Sequence, residues 1–202
     1  MNPEINKLDL SEKISLLLKS ATSQLHDEVE QINIMSKSKP TIDNYIDYLK
    51  VLFKIFIPLE QKLLNYSEWK QNNFNFNLTK RVQHLIMDIH NLNVNKNEII
   101  FSTNLPNIDS FEKALGIYYV LEGSSLGGQF LFKKMLLNYS DQLENKLNYL
   151  YGFGKETFKE WKIFIDNINN YAEINSAKKI DILNSALETF ECFIYEFNEV
   201  KK

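Results

Sequence analysis

Three histidines, one cysteine and six glycines are the residues of this 202-residue chain whose chemistry narrows its function most. His26 lies in the segment L-K-S-A-T-S-Q-L-H-D-E-V-E, residues 18–30. On a helix it shares a face with Leu18, Thr22 and Val29. Lys19, seven residues earlier, points nearly the same way, about 10 Å up the axis. His84 and Asp88 stand i, i+4 and form a second candidate chelating pair, with His90 off their face. A carboxylate di-iron bundle wants Glu-x-x-His on two helices, but positions 23, 81 and 87 carry Ser, Arg and Met. Cys192 falls between Phe190 and Phe193 in an amphipathic stretch and reads as packing.

The glycines are concentrated. Leu115 to Phe132 reads L-G-I-Y-Y-V-L-E-G-S-S-L-G-G-Q-F-L-F and holds four of the six: Gly116, Gly123, Gly127 and Gly128. Its apolar spacing is helical, and each glycine in a helix costs roughly 1 kcal/mol relative to alanine. Bare backbone is useful where something comes very close, either another helix or a flat ligand. The G-S-S-L-G run lacks the strand–turn–helix context of a nucleophile elbow, and phosphate-binding glycine loops also follow strands. Gly123-x-x-x-Gly127 is compatible with a close helix pair. Taken with His26 and Lys19, however, the pattern suits heme. An imidazole serves the iron at the ring centre, an ammonium the propionates at one edge, and a glycine-lined helix the opposite face.

Helical spacing dominates the elements that position these residues. Asp9 and Glu12 form a capping-box pair before a helix to about Ile32, with Ile14, Leu17, Leu18, Ala21, Leu25 and Val29 on its apolar stripe. After Pro40, Thr41 caps a second helix whose apolar face runs from Tyr45 to Leu63 and in which Pro58 predicts a kink or an end. Residues 65–77 read as loop with short helical turns, 79–92 as a helix and 91–106 as a long loop. Asp109 and Glu112 form a further capping box that opens the glycine-bearing helix, which continues to about Tyr139. A brief helix over 141–150, a turn at residues 151–154, a helix over 157–168 and a final helix over 176–200 complete the chain. No alternating strand pattern and no internal repeat stands out. The expectation is an all-α, single-domain bundle of seven or eight helices spanning residues 1–202.

Composition agrees. Hydrophobic residues make up 44% and charged residues 24%, an ordinary globular balance. One cysteine excludes an internal disulfide and fits a reducing compartment. The N-terminus lacks the pattern of a signal peptide, and no apolar run approaches the ~20 residues that span a bilayer. A net charge of -3 gives no general attraction to nucleic acid. These features lead to an expectation of a soluble cytoplasmic domain with neither nucleic-acid nor membrane partners.

The sequence resembles the heme oxygenases. Residues 18–30 match the family's proximal helix, with Ala-Thr before the histidine and a glutamate four after it. Y-Y-V-L-E-G-S-S-L-G-G-Q-F-L matches the distal helix, particularly in the bacterial, phytochrome-associated branch. Arg81-x-x-x-Leu85-x-x-Asp88-Ile and Phe158-x-x-Trp161 agree more loosely, so the resemblance spans most of the chain. It implies His26 as the proximal iron ligand, with Glu30 as its hydrogen-bonding partner. It places Lys19, Tyr118, Lys159 and Lys162 at the propionate edge, and makes Gly123, Gly127 and Gly128 the distal backbone over the ring. The implied reaction uses heme as both cofactor and substrate and gives biliverdin, carbon monoxide and ferrous iron. It draws on dioxygen and on electrons from a ferredoxin, flavodoxin or reductase.

One position departs from the wider family. Many members carry an aspartate after the first distal glycine to organise water; here it is Ser124, as is common in the phytochrome-associated branch. A hydroxyl holds water without supplying negative charge. Ser124 therefore bears on proton delivery and on which meso carbon is attacked. It also keeps open an alternative of a different class, a protein that binds heme or a bilin without efficient turnover.

Overall fold

Eight α-helices account for the architecture among the described residues, which in this computed structural model are 5–74 and 79–200. They are α1 (Ile14–Ile32), α2 (Ile42–Leu63), α3 (Glu68–Gln71), α4 (Lys80–Asn91), α5 (Phe111–Tyr139), α6 (Asn148–Tyr151), α7 (Thr157–Ile174) and α8 (Lys179–Val200). No strand occurs among these residues, and none of their helices is long and apolar enough to cross a membrane. The expected loop over residues 65–77 contains α3, and its last three residues lie outside the described set.

The helix ends show where local signals suffice. Thr41 caps α2 as expected, and the structure adds a capping box with Asn44, each side chain accepting from the other's backbone. The box anticipated at Asp9 and Glu12 does not form. The Asp9 carboxylate accepts from Ser11 N at 3.0 Å, and α1 starts at Ile14 behind Lys13, which makes no side-chain cap. A distant residue substitutes, since Asn169 Oδ1 of α7 accepts from Ser15 N at 3.0 Å. At α5 the cap is Ser110, which accepts from Lys113 N, while Asp109 pairs with the Lys113 ammonium. Pro58 does not end α2, which runs on to Leu63. The brief helix expected over 141–150 shrinks to α6, because Asn145 adopts a left-handed backbone at φ 59°.

α8 is the hub of the bundle, packed along both α1 and α5. Ile182, Leu183, Ala186 and Phe197 are buried on it, and Leu17, Leu18 and Ala21 of α1 and Ala114, Leu115 and Ile117 of α5 join the same core. Lys179, at the start of α8, donates to the Leu10 and Glu12 carbonyls at 2.9 and 2.7 Å and so ties the segment before α1 to this hub. Gly116 is where α5 and α8 meet most closely. A Cβ there would stand 2.0 Å from Ile182 O and 2.1 Å from Ser185 Oγ. The first of the four glycines therefore serves helix packing.

Two outcomes follow. Gly116→Ala forces backbone apart, and overpacking of this kind costs about 1–3 kcal/mol. Urea unfolding should show a loss in that range, and an unchanged midpoint would contradict the contact. Glu60, on α2, has one buried carboxylate oxygen with no partner among the described residues, and burial pushes its carboxyl from 4.5 to about 7. The folded state therefore holds this proton more tightly than the unfolded one. Stability should be greatest below about pH 4.5 on this account and fall as pH rises through about 7. Glu60→Gln should flatten that slope in pH-dependent thermal melts.

Candidate functional site

A cavity of about 610 Å³ opens between α1 and α5, within the ~300–1,000 Å³ range of pockets that enclose small molecules. α1 supplies Lys19, Thr22, His26, Val29 and Glu30 to its wall, and α5 supplies Tyr119, Val120, Gly123, Ser124, Gly127 and Gly128. Tyr48 and Leu52 of α2, Trp161 of α7 and Phe190, Phe193 and Phe197 of α8 complete it. The pocket is thus apolar and aromatic over most of its surface, with an imidazole, an ammonium and the two carboxylates of Asp27 and Glu30 on one helix. His26 is open to solvent and meets the edge of Phe190 with ring centroids 5.9 Å apart. Its Nε2 lies 3.8 Å from Glu30 Oε1, one helical turn on. Among the described residues, His26, Asp27 and Glu30 form the group of ligand-type side chains close enough to share a metal ion.

The three remaining glycines of α5 divide the work. Gly128 packs on α6, where a Cβ would lie 3.3 Å from Leu150 O. Gly127 lines the cavity, and a Cβ there would meet nothing within 4 Å. At Gly123 a Cβ would touch only the Trp161 ring, at 3.5 Å. Space that two methyl groups would take is therefore left beside the cavity, which fits a flat ligand resting on backbone.

Behind this surface α5 is held by a buried polar network. Arg81 Nε donates to Glu122 Oε2 at 2.7 Å, Nη2 to the Glu122 carbonyl at 3.1 Å and Nη1 to Ser124 Oγ at 3.3 Å. Ser124 donates to Leu121 O at 2.7 Å, and its oxygen is 3.2 Å from the Tyr149 hydroxyl. A hydroxyl has one hydrogen and two acceptor positions, so the protein itself engages Ser124 fully. Tyr149 is fixed in turn by Asp88, which accepts from Tyr149 N, Asn148 N, Asn148 Nδ2 and the Tyr45 hydroxyl at 2.7–2.9 Å. Asp88 is wholly buried in these bonds, which leaves the His84–Asp88 pair no carboxylate for a metal.

Three expected contacts do not reach the cavity. Tyr118 is turned to the other side of α5, with its hydroxyl on Glu122 Oε2 at 3.2 Å and its ring between Trp69 and Phe164. The neighbouring Tyr119 lines the pocket instead, since one residue rotates a side chain by about 100°. Lys159 is exposed and pairs with Glu156 at 3.1 Å. Lys162 is exposed as well, and α7 reaches the wall through Trp161. Sequence reading missed Tyr48, Tyr119 and the three phenylalanines of α8 as wall residues. Their apolar spacing marked them as core, and the cavity is the edge of that core.

The family model described as "Heme oxygenase" matches residues 12–199 of the chain. A crystal structure of the NO- and CO-bound heme oxygenase from Neisseria meningitidis superposes with a TM-score of 0.75. That match has 24% sequence identity and covers 93% of this chain and 91% of the other. The likeness establishes the fold, an all-α heme oxygenase bundle. Among curated protein sequences no match to the chain is found.

Gly127→Ala separates the cost of this surface from its use. Its methyl group has free space, so the helix should gain about 1 kcal/mol, or roughly 2–4 °C in Tm. Hemin uptake, followed by absorbance titration, should weaken because the group lies in the cavity wall. Unchanged uptake with raised stability would remove Gly127 from the site.

Proposed function

The chain belongs to the heme oxygenase family, and from that premise we propose that it cleaves heme at a meso carbon to biliverdin, carbon monoxide and ferrous iron. The supporting observation is the cavity that His26 shares with the methyl-free faces of Gly123 and Gly127. Heme, when bound, supplies both the iron that activates dioxygen and the ring that is opened. Electrons come from a ferredoxin, flavodoxin or reductase, in the cytoplasm.

The chain's own residues have these roles in the proposal. His26 offers a neutral imidazole nitrogen to the iron, and Glu30 accepts from the other ring nitrogen to orient it. Lys19, about 10 Å along the same helix face, pairs with a propionate at the rim. Gly123 and Gly127 would let backbone lie close to the face of a bound ring. Phe190, Phe193, Phe197 and Trp161 cover the ring and exclude water. Ser124, anchored by Arg81 and Tyr149, fixes the polar end of the distal wall. Tyr118, Lys159 and Lys162 have no part in this arrangement.

A second reading draws on one observation. Because the Ser124 hydroxyl is committed to Leu121, Arg81 and Tyr149, it lacks the free acceptor that an aspartate would offer to water. That favours a protein that holds heme or a bilin without efficient turnover.

The two readings separate in one experiment. Hemin is added anaerobically and the Soret band recorded, then oxygen and a ferredoxin-based reducing system are supplied. Loss of the band with the appearance of biliverdin supports the oxygenase, whereas a stable complex supports the binding protein. Absence of any complex sinks both. His26→Ala should abolish the axial-ligand spectrum and collapse turnover; unchanged spectra would overturn the assignment.

A further inference from the structure

We infer that Tyr48 is a further catalytic residue, its phenol donating a hydrogen bond to the oxygen ligand or water on the Ser124 side of the cavity; this rests on the heme-cleaving reading. The inference starts from an inventory of hydroxyls in the wall. Ser124 is engaged on all sides, as described above. Thr22 gives its hydrogen to Leu18 O at 2.7 Å, Tyr119 packs its ring on Trp161 with centroids 5.3 Å apart, and Ser23 is exposed on α1. Tyr149 lies behind Ser124 and is bound to it. Tyr48 lines the cavity, is only 5% exposed, and its hydroxyl takes no hydrogen-bond partner among the described residues. The oxygen is not among the fully enclosed polar atoms that lack a partner, so it is reachable from the cavity, and its hydrogen is free to be donated to what the cavity holds.

The ring is fixed where this role requires it. It stacks on Phe197 with centroids 6.1 Å apart and 15° between planes, and its edge meets Tyr149 at 6.3 Å. The Tyr149 contact puts Tyr48 on the side of the cavity where Ser124 stands. The groups facing it are neutral Tyr149 and the Arg81 guanidinium, and Arg81 is tied to Glu122. Burial, reinforced by Tyr149 and opposed by Arg81, holds the phenol well above its ordinary value. Tyr48 therefore keeps its proton at neutral pH and acts as a donor. This supplies from α2 the polar contact that Ser124, fully bonded within the protein, does not supply from α5.

The test is Tyr48→Phe, which removes one oxygen and leaves the ring packing in place. Wild type and variant are loaded with hemin, and the acid–alkaline transition of the ferric complex is followed by visible absorbance. Loss of the donor should leave the Soret stoichiometry at one heme per chain. It should raise the transition midpoint by about half a unit or more and slow biliverdin formation about tenfold, the effect of losing one good hydrogen bond. An unchanged midpoint with unchanged turnover overturns the role of Tyr48 while leaving the heme reading standing. Failure of both proteins to form a hemin complex overturns the two together. If Tyr48→Phe does not fold, 3-fluorotyrosine at position 48 of the otherwise native chain gives the answer. As a stronger donor it should lower the midpoint, and no shift overturns the inference.

Discussion

The site depends on the buried ion pair between Arg81 and Glu122. Burying two charges is costly, and their attraction offsets this only with good geometry and further hydrogen bonds. Here Arg81 bonds the Glu122 carboxylate, the Glu122 carbonyl and Ser124, and Tyr118 adds a bond to the same carboxylate oxygen, while the other oxygen, Oε1, is buried with no partner among the described residues. These contacts fasten α5 to α4 at the turn just before Gly123. Removing one partner of such a pair costs about 3–5 kcal/mol, because the other charge is left stranded. With α5 held from behind, its front face need not pack against protein at all, and the cavity follows from that freedom.

One helix uses the same residue type for two opposite purposes. Gly116 and Gly128 admit protein backbone, from α8 and α6 respectively, while Gly123 and Gly127 keep space free beside the cavity. The intrahelical cost of glycine is the same at all four positions, roughly 1 kcal/mol each. At Gly116 it is offset by close packing within the bundle. At Gly127 no protein contact offsets it, and the bare backbone lines the cavity. The hydroxyls of Ser124 and Ser125 donate to the Leu121 and Glu122 carbonyls of the preceding turn, which gives those carbonyls an added partner.

Much of this was legible in the sequence, and the limits have specific causes. The apolar periodicity placed α1, α2, α4, α5 and α8 to within a few residues and the start of α7, which runs on past the expected end at 168 to Ile174, and the Thr41 cap was local enough to read directly. The start of α1 was not, because its cap comes from Asn169, 154 positions away. His26, Lys19 and the cavity-facing glycines were identifiable from spacing on two helices. Arg81 stood in a loose motif without a stated role and Tyr48 read as core, since their partners come together only once α2, α4 and α5 have assembled. The resemblance placed Tyr118 at the propionate edge, and a single residue of helical rotation carries that ring to the far side of α5.

The central claim is that His26 alone coordinates the iron of a heme held between α1 and α5. The chain has only three histidines, so nitrogen-15 labelling of histidine gives a direct test by NMR. On adding one equivalent of hemin, one imidazole should move into the paramagnetically shifted region, and that signal should be missing in His26→Ala. The resonances of His84 and His90 should stay in place. A shifted signal that persists in His26→Ala, or three unshifted imidazoles beside a formed hemin complex, would contradict the assignment of the cavity to heme ligated by α1.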